Sequence, residues 1–385
     1  MNILIVKLSA IGDVIHTLPA LNAIRAHYPN AHITWLVEAA AADLVIGHRA
    51  LDRVIVSHRK RWARQLRGGG RRQALMEMRQ FWRDLRDTHY YIIIDFQALL
   101  KSGVLVWLAR GRRKIGFDKG MQHQEHSYLL LNERVPPVDM EVHALTRGLQ
   151  LLHAIGVNSG KVVYDIPIAA QDHARIAALM DAQGIDPGRP LVAINPVALW
   201  ETKLWLNERF AALADRLVAE QGVNIVFTGG PGDGAVIRDI RSMMDKPSSD
   251  FSGKTSLTML AALYQRATLL VTTDTGPMHL AAAVDTPVVA LFGPTAPWRT
   301  GPFGPGHRIV RTAPPCSPCY KRRCDIHQCR CMRDITVDQV IDAVMPLLAG
   351  DAIPVRRSLT AEDRPAAGRP ADPEPHCLEK DCSHE

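Results

Sequence analysis

Three stretches of the chain gather residue types that could do chemistry together. In Val271-Thr272-Thr273-Asp274-Thr275-Gly276-Pro277-Met278-His279 an apolar run ends in hydroxyls and a carboxylate, just before an Ala-rich helical stretch. Pro near the first turn, with Thr or Asp as cap, marks a helix start. The unpaired N–H groups at such a start favour an anion. A diphosphate would sit on Thr275 and Gly276, leaving Asp274 for sugar hydroxyls. In Asn195-Pro196-Val197-Ala198-Leu199-Trp200-Glu201-Thr202-Lys203-Leu204-Trp205, Lys203 stands between polar residues and two tryptophans. It is either a point charge for a phosphate or a solvated lysine. In Lys7-Leu8-Ser9-Ala10-Ile11-Gly12-Asp13-Val14-Ile15-His16, one glycine precedes a carboxylate near a helix start. Asp13 either caps that helix or serves as a general base at the mouth of a cleft. Neither the Gly-x-Gly-x-x-Gly fingerprint nor a P-loop is present, which argues against a dinucleotide dehydrogenase.

The elements that must hold these loops follow from the apolar pattern. Short Val/Ile/Leu-rich runs at 2–6, 32–37, 53–56 and 90–95, and again at 190–194, 223–228, 268–272 and 287–291, suit strands buried on both faces of a parallel sheet. Amphipathic stretches separate them; 207–220 puts Phe210, Leu213, Leu217 and Val218 on one face. Two such sets predict two doubly wound α/β domains, divided near Gly184–Pro190. In these sheets ligands bind beyond the carboxyl ends of the strands, where all three stretches fall. Pro19 either kinks the first helix or lies in its early turns.

Composition narrows the class. The chain has 385 residues, 47% hydrophobic and 22% charged, enough for two cores. No apolar run reaches membrane-spanning length and the N-terminus does not read as a signal peptide, so a cytosolic protein is expected. Net charge is +7. The stretch 58–87 alone carries ten basic residues against three acids, whereas 358–385 is acidic, Pro/Ala-rich and reads as disordered. Five of the seven cysteines, Cys316, Cys319, Cys324, Cys329 and Cys331, crowd into one segment with His327. The spacing begins like a metal knuckle but lacks the paired halves of a zinc ribbon. A structural zinc or iron–sulfur site and plain reduced thiols both remain open.

The opening run through Thr17-Leu18-Pro19 resembles the start of the ADP-heptose:lipopolysaccharide heptosyltransferases, glycosyltransferase family 9. Asp95-Phe96-Gln97-Ala98-Leu99-Leu100-Lys101-Ser102, Lys203-x-Trp205, Asp274-Thr275-Gly276-x-x-His279 and Phe292-Gly293-Pro294-Thr295 are similar to its later motifs, in the same order, over about residues 1–348. Phe96-Gln97-Ala98 departs from the Gln-Gly more usual there. The resemblance implies a GT-B fold, two facing Rossmann-like domains. The acceptor domain would span 1–165, and the donor domain 185–350 with a Cys-rich insert at 316–331. It implies inverting transfer of heptose from ADP-heptose to Kdo or the first heptose of the lipopolysaccharide inner core, with no cofactor required. Asp13 resembles the catalytic base and Lys203 the diphosphate-contacting lysine. Asp274, Thr275, Gly276 and His279 resemble the ADP-heptose motif, with Thr255 near the adenine loop. The helix at 337–348 is expected to cross back to the first domain, as in GT-B proteins.

Given that resemblance, the basic stretch reads as an acceptor and membrane-surface site, with Arg59, Lys60, Arg61, Arg64 and Arg67 meeting a phosphorylated lipid A–Kdo acceptor on the inner leaflet. This predicts a cytoplasmic protein peripheral to the inner membrane. A solvated helix face is the plain alternative. Nucleic acid is not expected, because no stacking platform or binding motif accompanies the cations. Two other functions stay open: the same chemistry on another core sugar or a protein serine, and a non-catalytic binding protein with a metal knuckle.

Overall fold

The computed structural model describes residues 1–121, 125–158, 160–325 and 328–350. The tail at 358–385 and His327 lie outside the described residues. The first half runs β1 (Asn2–Val6), α1 (Ile11–His27), β2 (His32–Glu38), β3 (Arg53–Ser57), α2 (Arg59–Arg67), α3 (Arg71–Arg86), β4 (Tyr90–Asp95), α4 (Leu100–Leu108), β5 (Gly111–Phe117), β6 (Glu133–Val135) and α5 (Ala144–Leu151). After α6 (Ala170–Ala182) come β7 (Leu191–Asn195), α7 (Asn207–Gln221), β8 (Asn224–Phe227), α8 (Gly234–Ser242), β9 (Ser249–Asp250), α9 (Leu257–Arg266), β10 (Leu269–Thr273), α10 (Gly276–Ala283) and β11 (Val288–Leu291). The described chain closes with α11 (Pro297–Thr300), β12 (Arg308–Val310), α12 (Arg330–Arg333) and α13 (Val337–Leu348).

The strands form two six-stranded parallel sheets, ordered β3-β2-β1-β4-β5-β6 and β12-β11-β10-β7-β8-β9. Counted within its own half, each has the doubly wound order 3-2-1-4-5-6, so the strand direction of travel reverses between β1 and β4 and between β7 and β10. Loops diverge at those points and leave a crevice. The Lys7, Asp95, Asn195 and Asp274 loops all leave these four strands. The expected α/β architecture of two doubly wound sheets is what forms.

Alternation along the strands distributes the core. Ile3 and Ile5 of β1 face α1, while Leu4 and Val6 face α2, α3 and α4. The α1 side continues without a break into the second half, through Met278 and Leu280 of α10 to Leu270 and Ala290. The other side of the second sheet, with Ile194, Phe227 and Val271, is covered by α7, α8 and α13. Pro19 stays inside α1, whose 17 residues run on past it. The helix α13 corrects an expectation. Val340, Ile341, Val344 and Leu347 bury against β11, β12 and α7, so within the described residues it remains on the second sheet rather than crossing back. Among the described residues no helix is long and apolar enough to cross a membrane.

Candidate active site

The β1 loop is fixed from below by the β4 loop. Gln97 Oε1 accepts from the N–H groups of Leu8 and Ser9 at 2.9 and 3.0 Å, and Lys7 Nζ donates to the Phe96 carbonyl at 3.0 Å. Asp95 ties the β4 loop together: its carboxylate accepts from the N–H groups of Gln97 and Ala98 and from Ser102 Oγ. Burial pushes its carboxyl up to about 6, although those three donors pull the other way. Lys101 at the start of α4 donates to Ser9 Oγ at 2.9 Å and pairs with Glu38, which also receives Arg59. On this platform Asp13 sits in the first turn of α1. Its Oδ2 accepts from the Ala10 N–H at 3.2 Å and lies 3.9 Å from Lys7 Nζ. Its side chain is 48% exposed, so the carboxylate caps its own helix yet still faces solvent.

The second half presents the matching loops. Lys203 Nζ reaches Asp274 Oδ2 at 2.6 Å, and Thr295 Oγ1 donates to the same oxygen at 2.6 Å. The ammonium also lies 4.6 Å from the centre of the Trp200 ring, a cation–π contact. Lys203, Asp274 and Thr295, from loops after β7, β10 and β11, thus form one buried charged knot. Next to it α10 opens at Gly276, with Pro277 in its first turn and Thr275 as cap. Thr255 precedes α9, and its loop touches the Gly229–Gly232 loop, where the Gly253 N–H donates to the Gly229 carbonyl.

Helices α1 and α10 bring the halves together through their N-terminal turns. Gly12 is required there: a Cβ at that position would lie 2.3 Å from His279 Cδ2. A Cβ at Gly276 would come within 3.2 Å of Ile11. Across this contact His16 Nε2 and His279 Nδ1 are 3.0 Å apart, one ring donating and the other accepting. His143 packs edge-on to His16 and bonds to the Gly301 carbonyl through Nε2. Burial holds all three imidazoles below their ordinary range, His143 at about 4. They are therefore neutral at pH 7, and a neutral pair is what a shared hydrogen bond between two rings needs. Both Asp13 and Asp274 lie close enough to His279 to bias its charge.

The geometry thus gathers Asp13, Lys203, Asp274, Thr275, Gly276 and His279 around one crevice. The arginine-rich stretch is only partly with them. Arg59 reaches Glu38 at the rim. Arg61 instead pairs with Glu77 of α3, and Lys60, Arg64 and Arg67 are exposed with no ion pair among the described residues. Sequence reasoning passed over His143 and Arg147, which enter from α5. Arg147 is half-buried; burial, then the neighbouring Arg299, lowers its guanidinium while Asp13 and Glu141 raise it. His143 is placed by the Gly301 carbonyl, far away in the chain, and Arg147, whose guanidinium donates to the Met140 and Val142 carbonyls, comes near Asp13 and Tyr320 only in the fold.

The cysteine segment folds over the loops after β7 and β11. Ser317 Oγ donates to the Gly293 carbonyl, the Cys319 and Tyr320 N–H groups to Pro294, and Thr202 Oγ1 to Lys321. Cys316, Cys319, Cys324, Cys329 and Cys331 line one small cavity with Thr202 and Pro294. The Cys329 N–H donates to Cys324 Sγ at 3.2 Å. Burial, then neighbouring thiols, pushes Cys329 and Cys331 up to about 11, so both are neutral thiols at pH 7. Among the described residues no three or more His, Cys, Asp or Glu side chains are set to hold a metal ion.

Residues 78–329 match the model of glycosyltransferase family 9 (heptosyltransferase). Lipopolysaccharide heptosyltransferase 1 of Pseudomonas aeruginosa is 33% identical over 334 residues, 84% of this chain and 87% of that protein. Among solved structures, the E. coli heptosyltransferase WaaC with ADP superposes with a TM-score of 0.72 at 25% identity, over 90% of this chain and 100% of that one. The same enzyme with ADP-2-deoxy-2-fluoro heptose gives 0.69 at 25% identity, over 90% and 99%. With these likenesses across both sheets and the crevice between them, the chain belongs to glycosyltransferase family 9 and is a glycosyltransferase of GT-B fold, in the group of the lipopolysaccharide heptosyltransferases.

Proposed function

We propose that the chain transfers heptose from ADP-heptose to Kdo or the first heptose of the lipopolysaccharide inner core, with inversion at the anomeric carbon. The observation that carries this is the apposition of α1 and α10, which sets the Asp13 carboxylate opposite the Lys203–Asp274–Thr295 knot across the Gly12–His279 contact. The solved relatives with ADP and an ADP-heptose analogue support the donor.

In this mechanism Asp13 takes the proton of the acceptor hydroxyl as its oxygen attacks the anomeric carbon. The bond from that carbon to the diphosphate breaks, and its electron pair stays on the leaving ADP. Lys203 leaves Asp274 to meet the growing phosphate charge, while Thr275, Gly276 and the N–H groups at the start of α10 stabilise it from the other side. Asp274, held by Thr295, keeps the ammonium poised before the donor binds. Thr255 borders the adenine, and His279 fixes the spacing between the two halves. The residues at the crevice supply the required base and positive charge themselves, so no cofactor takes part in this reading.

The acceptor is bound by the first half, with Arg59 at the rim and Lys60, Arg61, Arg64 and Arg67 meeting the phosphates of a lipid A–Kdo acceptor at the cytoplasmic face of the inner membrane. The test is incubation with ADP-heptose and Kdo-lipid A. ADP release matched by a lipid heavier by one heptose is expected. ADP release with no lipid product, or neither, overturns the assignment.

A further inference from the structure

The layer formed by α2, α3 and α4 covers the face of the first sheet that carries Leu4, Val6, Leu36 and Ile93, and its apolar cluster is built only from first-half residues. On α4 the outer surface is apolar where a covering helix is normally polar. On α4, Leu100, Val104 and Trp107 fall at i, i+4 and i+7, one face of the helix, and are 49%, 39% and 59% exposed. Ser102 and Val106, on the other side of α4, are buried, and Gly103 is buried beside the Ser127–Leu130 turn. The sheet and the Ser127–Leu130 turn cover other sides of α4, but this apolar stripe stays exposed and needs a partner of its own. Leu129, on the short turn Ser127–Leu130 that packs against α4, extends the stripe and is 62% exposed.

Cations frame it. Arg110, Arg112 and Arg134 are exposed at its edge, with Arg112 over the exposed Tyr91 ring and Arg134 over Tyr128. In the same layer, Lys60, Arg64, Arg67, Arg72 and Arg79 are exposed with no ion pair among the described residues, and Leu75 and Met76 stand out between them. The partner must therefore offer apolar depth in one place and negative charge over a wide area around it. An anionic bilayer does both: side chains such as Trp and Leu enter the interface while arginines stay at the headgroups. The position fits as well. Lys101, adjacent to Leu100, donates to Ser9 in the loop that leads to Asp13. A bilayer resting on Leu100 would thus meet the acceptor side of the crevice.

We propose that the α4 stripe of Leu100, Val104, Trp107 and Leu129, framed by the arginines of this layer, docks the protein on an anionic bilayer surface. The proposal rests on the lipid-linked acceptor of the preceding section. Its test is co-sedimentation of the full chain with vesicles of phosphatidylcholine alone or mixed with phosphatidylglycerol. Binding is expected only to the mixed vesicles. Trp107→Ser with Leu129→Ser should lower it at least ten-fold, leaving the thermal midpoint and transfer to an acyl-free Kdo sugar unchanged. Arg72→Glu with Arg79→Glu should lower it most at low salt. Wild-type binding by the Trp107→Ser/Leu129→Ser protein, or no binding by the wild type, overturns the proposal. So does a dimer in sedimentation velocity that the same pair disperses, since the stripe would then be a self-contact. Vesicle binding without transfer to either lipid or soluble acceptor would instead defeat the acceptor assignment and leave the docking surface standing.

Discussion

Replacing Gly12 with alanine adds one methyl group at the tightest point between the two halves. The new Cβ would lie 2.3 Å from His279 Cδ2 and 3.0 Å from Nε2, whereas carbon atoms rest at about 3.5–4.0 Å. His279 is buried and bonded to His16, so its ring is held where the new methyl would fall. The helices must separate by roughly 1 Å, or the ring must break its bond to His16. Overpacking of this kind costs about 1–3 kcal/mol. A misplacement of about 1 Å at a reacting centre costs on the order of 100-fold in rate. We therefore expect Gly12→Ala to lower kcat/KM about 100-fold and the urea-unfolding free energy by about 1–3 kcal/mol. His279→Ala removes the obstructing ring, so the double variant should be more stable than the sum of the single losses predicts. The assays are steady-state ADP release and equilibrium urea unfolding of all four proteins. Full activity and stability for Gly12→Ala, or strict additivity in the double variant, would refute the argument that this contact sets the spacing of the halves.

Other consequences follow from the charged knot and the buried acids and bases. Lys203→Met leaves the Asp274 carboxylate with Thr295 as its remaining side-chain partner, and should cost about 3–5 kcal/mol in urea unfolding; Lys203→Met with Asp274→Asn should restore stability but not transfer. Thr295→Val removes one hydrogen bond to a charged group, about 1.5–3 kcal/mol, and should raise KM for ADP-heptose about ten-fold or more, read by initial rates. The folded-state values of His16, His143 and His279 lie below the unfolded 6.5, so the unfolded chain binds more protons on acidification. Their contribution is complete above pH 6.5 and is lost as pH falls toward about 4. Asp95 works in the opposite sense. Its folded value near 6 exceeds the unfolded 3.8, which favours the native state at low pH by on the order of 2–3 kcal/mol. Asp95→Asn should therefore make the acid loss of stability between pH 6 and 4 steeper, measured by urea midpoints; an unchanged slope would contradict the buried, raised carboxyl.

How far the sequence reached follows from which signals are local. The eight Val/Ile/Leu-rich strands were legible because burial on both faces writes an unbroken apolar run, as in Tyr90–Asp95. The strand Gly111–Phe117 was not, since Arg112, Arg113 and Lys114 interrupt the run; Arg113 is satisfied by Glu133 on the neighbouring strand. The edge strands β6, β9 and β12 have two or three residues each, too few to show a period. In the crevice, Asp13, Lys203 and Asp274 could be named from loops that follow strands. The histidine contact could not, because it depends on how closely α1 approaches α10 across 263 residues of chain. Asp95 stood in a quoted motif without a role, since its character comes from burial. The expectation for α13 erred because the Val340–Leu347 face fits the second sheet as well as any other apolar surface.

The central claim is that Asp13 accepts the proton of the acceptor hydroxyl, and Asp13→Asn tests it most directly. Asparagine keeps the size and can still accept the Ala10 N–H, but it cannot take up that proton. Transfer from ADP-heptose to Kdo-lipid A, followed by mass spectrometry of the lipid, should fall about 10²–10⁴-fold with ADP affinity and thermal midpoint retained. Transfer at near wild-type rate by a folded, ADP-binding Asp13→Asn protein would contradict the account.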